Sequence, residues 1–394
     1  MMKRKIMTLV LLMLVLICIA IVFSPDSKLA YAFEMEFESG AALLMEYHTG
    51  EILVVHNEHE ILFPASITKI MTVLLALEAL EKGEISLTDE VPVTKRAASM
   101  GGSQIFLSAG DVVEMESLLI GMVVGSGNDA SVAVAEYLAG SVEAFAERMN
   151  QRAAELGMKN TNFVNPNGLH DDNHFTTAYD IALMSREIIG YPIYSKWSTI
   201  WMDENFLEGK IRSGKVYLSN TNRLVRYYQD CDGIKTGYTS EAGHSISATA
   251  ERNETRFIAI VLNAPSSDIR YEEARSLLNY GFANYYNVQI AGKNEKIKRL
   301  PVDKGTVKEI DIITSGNLSL LVKKGEEPQY TTEIDLPKRL NAPLSRDIKI
   351  GKIKVMQGEK VLKEVDLEVA QDVERASLFN LFIRYSEIWL KFGR

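Results

Sequence analysis

Cysteine is almost absent: Cys18 and Cys231 are the only two in 394 residues. Cys18 falls in an apolar N-terminal run, with Ile17 where a lipid-attachment site wants a small residue. If that run is removed, Cys231 stands alone, an internal disulfide is excluded, and stability must come from a buried core. Low-complexity tracts and internal repeats are missing too, which excludes repeat architectures. Positive charge is in deficit, with 43 Lys and Arg against 52 Asp and Glu, a net charge of −9. Residues 1–32 contribute Lys3, Arg4, Lys5 and Lys28 against Asp26, so a chain without them stands at −12. This balance argues against nucleic acid as a partner and gives no overall electrostatic reason to sit on an anionic membrane. None of the six histidines falls in a metal-ligand pattern.

What is present begins with a candidate export signal. Lys3-Arg4-Lys5 precede an apolar run over 6–23, and Ala30-Tyr31-Ala32 fits a small-x-small cleavage site, placing the mature start near Phe33. The alternative is an uncleaved anchor, because 18 apolar residues suffice to span a bilayer. Beyond it, 41–45 and 52–55 read as strands around the turn His48-Thr49-Gly50. A helix is expected over 66–82, its start marked by Pro64 and Ser66 and its stop by Gly83. Residues 84–113 read as polar and irregular, followed by helical patterns over 114–125, 128–139, 142–157 and 177–189. Strand-like runs over 232–239, 244–250 and 256–262 precede a last helix over 267–284. Two strands early and three late, with helices between, predict one sheet assembled from both ends of an α+β domain. Past about residue 290 the pattern becomes a small all-β domain, in which Ile348/Ile350 and Ile353/Val355 alternate out of phase across Gly351, the mark of a bulge. The domains are thus expected at 1–32, 33–288, 289–370 and 371–394.

The chemistry gathers around three short patterns. Ile67, Ile70, Met71, Val73, Leu74, Leu75, Leu77 and Leu80 leave the 66–82 helix almost no polar face, so it should be buried. Ser66 and Lys69, three apart, share a face, and a desolvated lysine can serve as base to a serine nucleophile. Such a pair is expected by chance about once in a chain of this length, the alternative being a helix cap plus a surface lysine. Ser126-Gly127-Asn128 lies between two expected helices, where a loop could carry both side chains to a cleft. Lys235-Thr236-Gly237 lies on the first late strand, where Lys235 offers a positive charge to a carboxylate and Gly237 permits close approach of a ligand backbone. A second copy, Ser315-Gly316-Asn317, reads as a turn. Each pattern is weak alone; their order along the chain is the signal.

With these motifs the chain resembles the serine-type D-alanyl-D-alanine carboxypeptidases, low-molecular-mass penicillin-binding proteins, most of all those of spore-forming Gram-positive bacteria. Gly101-Gly102-Ser103-Gln104, Asn165-Pro166-Asn167-Gly168-Leu169, Asn220-Thr221-Asn222 and the run from Asp232 to Thr239 resemble family segments as well. The resemblance implies a β-lactamase/transpeptidase-like domain, an antiparallel sheet with a helical cluster, that needs no cofactor or metal. It implies that Ser66 attacks the terminal D-Ala-D-Ala bond of a peptidoglycan stem peptide and Lys69 takes its proton. Ser126 would pass a proton to the leaving D-alanine, Asn128 would orient Lys69 and substrate, and Lys235 and Thr236 would hold the terminal carboxylate. Backbone N–H groups of Ser66 and Tyr238, beside Gly237, would form the oxyanion hole. β-Lactams would acylate the same serine. A β-lactamase shares the motifs but uses a general base for deacylation, a Glu in class A enzymes, and the loop over 160–174 offers only Asp171 and Asp172. A penicillin or cell-wall receptor that is acylated and never turned over is the other alternative.

The C-terminal residues read as an amphipathic helix. Leu378, Phe382, Tyr385, Trp389 and Phe392 recur at spacings of 4, 3, 4 and 3, with Asn380, Arg384, Glu387, Lys391 and Arg394 opposite. Such a helix would hold an exported enzyme at the outer face of the cytoplasmic membrane as a peripheral protein, or dock on its own chain.

Overall fold

The structure, a computed structural model, describes residues 35–346, 348–379 and 381–382. The expected export signal over 1–32 and most of the expected C-terminal helix lie outside the described residues.

The central sheet is the one predicted from both ends of the domain. Its five strands run in the order Ile52–His56, Ala41–Glu46, Thr255–Ala264, Gly243–Arg252, Cys231–Thr239, every pair antiparallel. The middle strand carries Phe257-Ile258-Ala259-Ile260-Val261-Leu262, all fully buried. A run without polar alternation demands cover on both faces, and helices supply it. On one side lies the helix Ser267–Asn284, whose Gly281 lets the Phe257 ring pack so close that a Cβ would meet it at 2.9 Å. On the other lies a helical cluster that includes Lys69–Glu81, Met115–Val123, Asn128–Ala139, Val142–Glu155 and Ala178–Ile189.

The serine helix is buried nearly all round, as its sequence requires, and it ends where expected. Gly83 takes φ +71°, and the amides of Gly83 and Glu84 bond back to Leu80 O and Ala79 O, a glycine stop. Its start differs from expectation: Ala65–Thr68 form a 3-10 turn and the α-helix proper begins at Lys69. The serine therefore sits on a tighter turn than an α-helix provides. The helix Ala178–Ile189 is capped by Thr177, whose hydroxyl accepts from Asp180 N.

Residues 190–230 hold what the pattern did not disclose. A hairpin of Met202–Ile211 with Gly214–Ser219 has mostly exposed side chains; the first strand lacks the alternation that marks a half-buried face, and the second shows it only over Lys215–Ser219, too short to stand out. It is fastened across the 109–114 segment by Lys210 to Glu114 at 2.9 Å and by Arg212 to Ala109 O at 3.0 Å. Within the stretch read as irregular, Glu90–Pro92 pairs with Val112–Glu114.

The strand Tyr285–Ala291, in which the expected boundary at 288/289 falls, pairs with Leu318–Lys323. The remaining strands form a six-stranded sheet around Leu300, Val302, Ile312, Val355, Leu367 and Val369. The register slips between Lys349 and Gly351, as the phase break predicted, and a Cβ on Gly351 would lie 2.1 Å from Asp335 O. Ser315 and Gly316 form the bend after Glu309–Thr314, so the second Ser-Gly-Asn copy is a turn.

Candidate active site

The three patterns converge on one cleft between the sheet edge and the helical cluster. Ser66 owes its placement to Ala65, held at φ +46°, a left-handed conformation that costs a non-glycine residue of order 1 kcal/mol. The neighbours compensate. Gly168, at φ +83°, lies so close that a Cβ there would be 1.8 Å from Ala65 O. From the opposite side Gly237 brings the strand Cys231–Thr239 against the same turn, where a Cβ would be 2.8 Å from Pro64 O. The close approach that Gly237 permits is thus to the serine's own backbone.

Lys69 is 1% exposed. Its Nζ lies 2.9 Å from Ser66 Oγ and donates to Asn128 Oδ1 and Asn167 O, each at 2.7 Å. The Asn128 amide is oriented from its other end, where Nδ2 donates to Gly101 O at 2.7 Å. Both partners of Lys69 other than Ser66 are therefore obligate acceptors. A neutral amine has two N–H bonds to give, and both are claimed, so its lone pair faces the serine hydroxyl. Burial lowers the Lys69 pKa well below the usual lysine range, the Lys235 charge adds to the effect, and Asp129 opposes it.

Lys235 is also 1% exposed. Its Nζ lies 3.3 Å from Thr236 O and 3.4 Å from Thr221 Oγ1, and Thr236 Oγ1 donates to Thr221 Oγ1 at 2.8 Å. Burial, helped by the Arg270 charge, lowers its pKa to about 7. Ser126 is 4% exposed and sits at φ +62° in the junction before Asn128. Among the described residues no hydrogen bond links its side chain to Lys69 or Lys235. Tyr238, next along the strand, points its ring outward, stacked on His244 with centroids 4.3 Å apart.

Three participants were not singled out from the sequence. Thr221 links the third pattern to the end of the helix before the second: its Oγ1 accepts from Thr236 Oγ1 at 2.8 Å, and its N–H reaches Val124 O at 3.2 Å. Asn167 contributes a carbonyl, and a backbone atom leaves no trace in residue type beyond the family-like segment around it. Arg270 reaches Gly237 O and Ser245 O from the helix Ser267–Asn284; separations of 33 and 25 residues hide such a contact.

The family profile described as D-alanyl-D-alanine carboxypeptidase matches residues 28–266, and that described as penicillin-binding protein 5, C-terminal domain, matches 285–375. The chain is 38% identical over 360 residues to D-alanyl-D-alanine carboxypeptidase DacF of Bacillus subtilis (strain 168), covering 91% of this chain and 92% of that one. Penicillin-binding protein 5 of Haemophilus influenzae superposes with a TM-score of 0.70 at 31% identity, covering 86% of this chain and 99% of that one. Penicillin-binding protein D2 of Listeria monocytogenes, in its ampicillin-bound form, superposes with a TM-score of 0.56 at 29% identity, covering 63% of this chain and 99% of that one.

His174 locks the loop behind Asn167 to the serine turn. It is 2% exposed, its Nδ1 accepts from Val164 N at 3.1 Å, and its Nε2–H therefore donates to Thr68 Oγ1 at 2.8 Å. Burial lowers its pKa from 6.5 to about 4, with Asp171 opposing and His170 and Lys69 reinforcing the shift. The native state thus refuses a proton that the unfolded chain accepts below pH 6.5, so stability falls as pH drops through this window and levels off below about 4. Between pH 7 and pH 5 the loss expected from this group is about 2 kcal/mol. Urea unfolding at the two pH values should show it, and His174→Gln should remove most of the difference; an unchanged difference in the variant would contradict the assignment.

Proposed function

The chain belongs to the D-alanyl-D-alanine carboxypeptidase family, and from that premise we propose a residue-by-residue mechanism for a serine D-Ala-D-Ala carboxypeptidase. Ser66 Oγ attacks the carbonyl between the two terminal D-alanines of a stem peptide as its proton passes to Lys69 Nζ. The observation that carries this reading is the Lys69 environment, where two fixed acceptors leave the amine lone pair no direction but the serine hydroxyl. The backbone N–H groups of Ser66 and Tyr238 stabilise the oxyanion, a reading supported by the close apposition of Gly237 and the Pro64-Ala65 turn. Ser126 relays a proton to the departing D-alanine amine as the C–N bond breaks, and Asn128 orients Lys69 and the substrate amide. Water then hydrolyses the acyl-enzyme.

Lys235, Thr236 and the newly found Thr221 hold the terminal carboxylate. Desolvation that brings the empty-site lysine to about 7 is reversed when an anion arrives beside it, so binding is coupled to uptake of a proton above that pH. The two carboxylates of the 160–174 loop, Asp171 and Asp172, are exposed to solvent, which supports a peptidase over a β-lactamase of the Glu-assisted type. β-Lactams, bound in the Listeria protein, should acylate Ser66 here.

A peptidoglycan substrate fits an exported enzyme. We further read 1–32 as a cleaved signal, 33–288 as the catalytic domain, 289–370 as a spacer and 371–394 as a helix on the outer face of the cytoplasmic membrane. Leu378, Phe379 and Phe382 are 87%, 71% and 72% exposed, which supports an apolar face awaiting a surface. No helix among the described residues is long and apolar enough to cross a membrane.

Incubation with a pentapeptide ending in D-Ala-D-Ala should release D-alanine, and Ser66→Ala should bring release to background, a loss of about a thousandfold or more. Mass spectrometry after brief exposure to penicillin should find one adduct, on Ser66. An adduct on Ser126, or an undiminished adduct in Ser66→Ala, would overturn the assignment. For the tail, the mature protein without residues 371–394 should leave anionic vesicles on sedimentation yet cleave free pentapeptide at the parent rate. Equal vesicle binding with and without the tail would show that it is no anchor.

A further inference from the structure

Asp129 follows the second motif and lies at the start of the helix Asn128–Ala139, 1% exposed. Its carboxylate receives only backbone amides: Ile105 N at 3.1 Å from both oxygens, Leu107 N at 3.0 Å and Ala130 N at 2.9 Å. Phe106 lies between the two loop amides that meet this carboxylate. It takes φ +58°, with its ring 59% exposed. The segment is gripped at a second pair of points by the preceding residue. Asn128 N donates to Ser103 O and Asn128 Nδ2 to Gly101 O, each at 2.7 Å. Two neighbouring residues thus clasp one loop with opposite polarity, Asn128 by its carbonyls and Asp129 by its amides.

We propose that Asp129 is a positioning residue for the reaction: its carboxylate fixes the 101–107 segment, so that Gly101 O holds the Asn128 amide with its oxygen toward Lys69, while its charge faces Lys69 from the same helix turn. Without the clasp the amide is free to rotate its NH2 toward the amine, which then offers its lone pair to Asn128 instead of Ser66. The charged and titratable groups around Lys69 are Lys235 from the sheet edge, Asp129 from the helix and His174 from the loop. Asp129 alone among them favours the protonated amine. Its removal therefore moves the acid limb of acylation to lower pH even as the rate falls. This inference rests on Lys69 being the base.

The test is the second-order rate of acylation by penicillin as a function of pH, measured on the mature enzyme and on Asp129→Asn. The expected result is a plateau lower by about tenfold to a hundredfold together with an acid limb displaced to lower pH. A merely structural role would reduce the folded fraction and leave the limb in place. A folded Asp129→Asn with the parent's limb, whatever its plateau, overturns the proposal. Should Asp129→Asn fail to fold, Gly102→Ala decides, because a Cβ there would stand 2.8 Å from Asn128 Nδ2 at φ +79°. It disturbs the same loop while leaving the charge, so the plateau should fall with the limb unmoved, and parent-like acylation overturns the proposal. Lys69→Ala is run alongside. If it still acylates, the base assignment itself has failed, whereas an inert Lys69→Ala beside a parent-like Asp129→Asn removes only the role given to Asp129.

Discussion

Two lysine side chains buried in one cleft are the constraint from which the site follows. An ammonium group removed from water is strongly disfavoured unless it is neutralised or loses its proton, and a further cation adds to that cost at each, Lys235 at Lys69 and Arg270 at Lys235. Among the described residues no carboxylate forms an ion pair with either one. The protein meets the constraint by dividing the two roles. Lys69 is enclosed by the Asn128 and Asn167 oxygens and the Ser66 hydroxyl, and Asp129 opposes the lowering of its pKa. Lys235 is left with two weak contacts beyond 3.2 Å and a pKa of about 7, which suits the role proposed for it as partner of the substrate carboxylate.

Holding an amine in this state requires a cleft that does not admit bulk water or relax, and the backbone around it is accordingly forced. Ala65, Phe106 and Ser126 all have positive φ, and each borders the site or the loop that braces it. Strain of this kind persists only where the surroundings over-determine it. Here the bracing is identifiable: Gly168 and Gly237 close on Ala65 from two sides, Asp129 clasps the segment around Phe106, and His174 ties the third loop to Thr68. Rigidity around Ser66 then means that little reorganisation is needed when charge develops in the transition state.

Much of this was legible in the sequence, for physical reasons that differ from element to element. The central strand announced its burial by an unbroken apolar run, the serine helix by the lack of a polar face, and Gly83 and Gly351 by conformations or contacts that only glycine satisfies. The motif residues Ser66, Lys69, Asn128, Lys235 and Thr236 could be picked out because side-chain chemistry is written in residue type. Contacts made by backbone atoms are not, which is why the Asn167 and Gly101 carbonyls emerged only in three dimensions. The 3-10 turn at Ser66 was hidden because its distortion is imposed by Gly168 and Gly237, a hundred and more residues away. The hairpin over 202–219 escaped because its first strand exposes both faces for much of its length and its second alternates over only a few residues. The C-terminal helix expected from the clearest amphipathic pattern in the chain falls largely outside the described residues.

The division of labour between the two lysines can be measured without substrate. In the mature enzyme, NMR of lysine labelled at the ε-carbon, with Lys69→Ala and Lys235→Ala to assign the signals, follows each amine through the neutral and alkaline range. The account predicts that Lys69 loses its proton well below the ordinary lysine range and that Lys235 titrates near 7 and moves upward when a D-alanine-terminated ligand binds. A Lys69 that remains protonated until the ordinary lysine range, near 10.5, would contradict it.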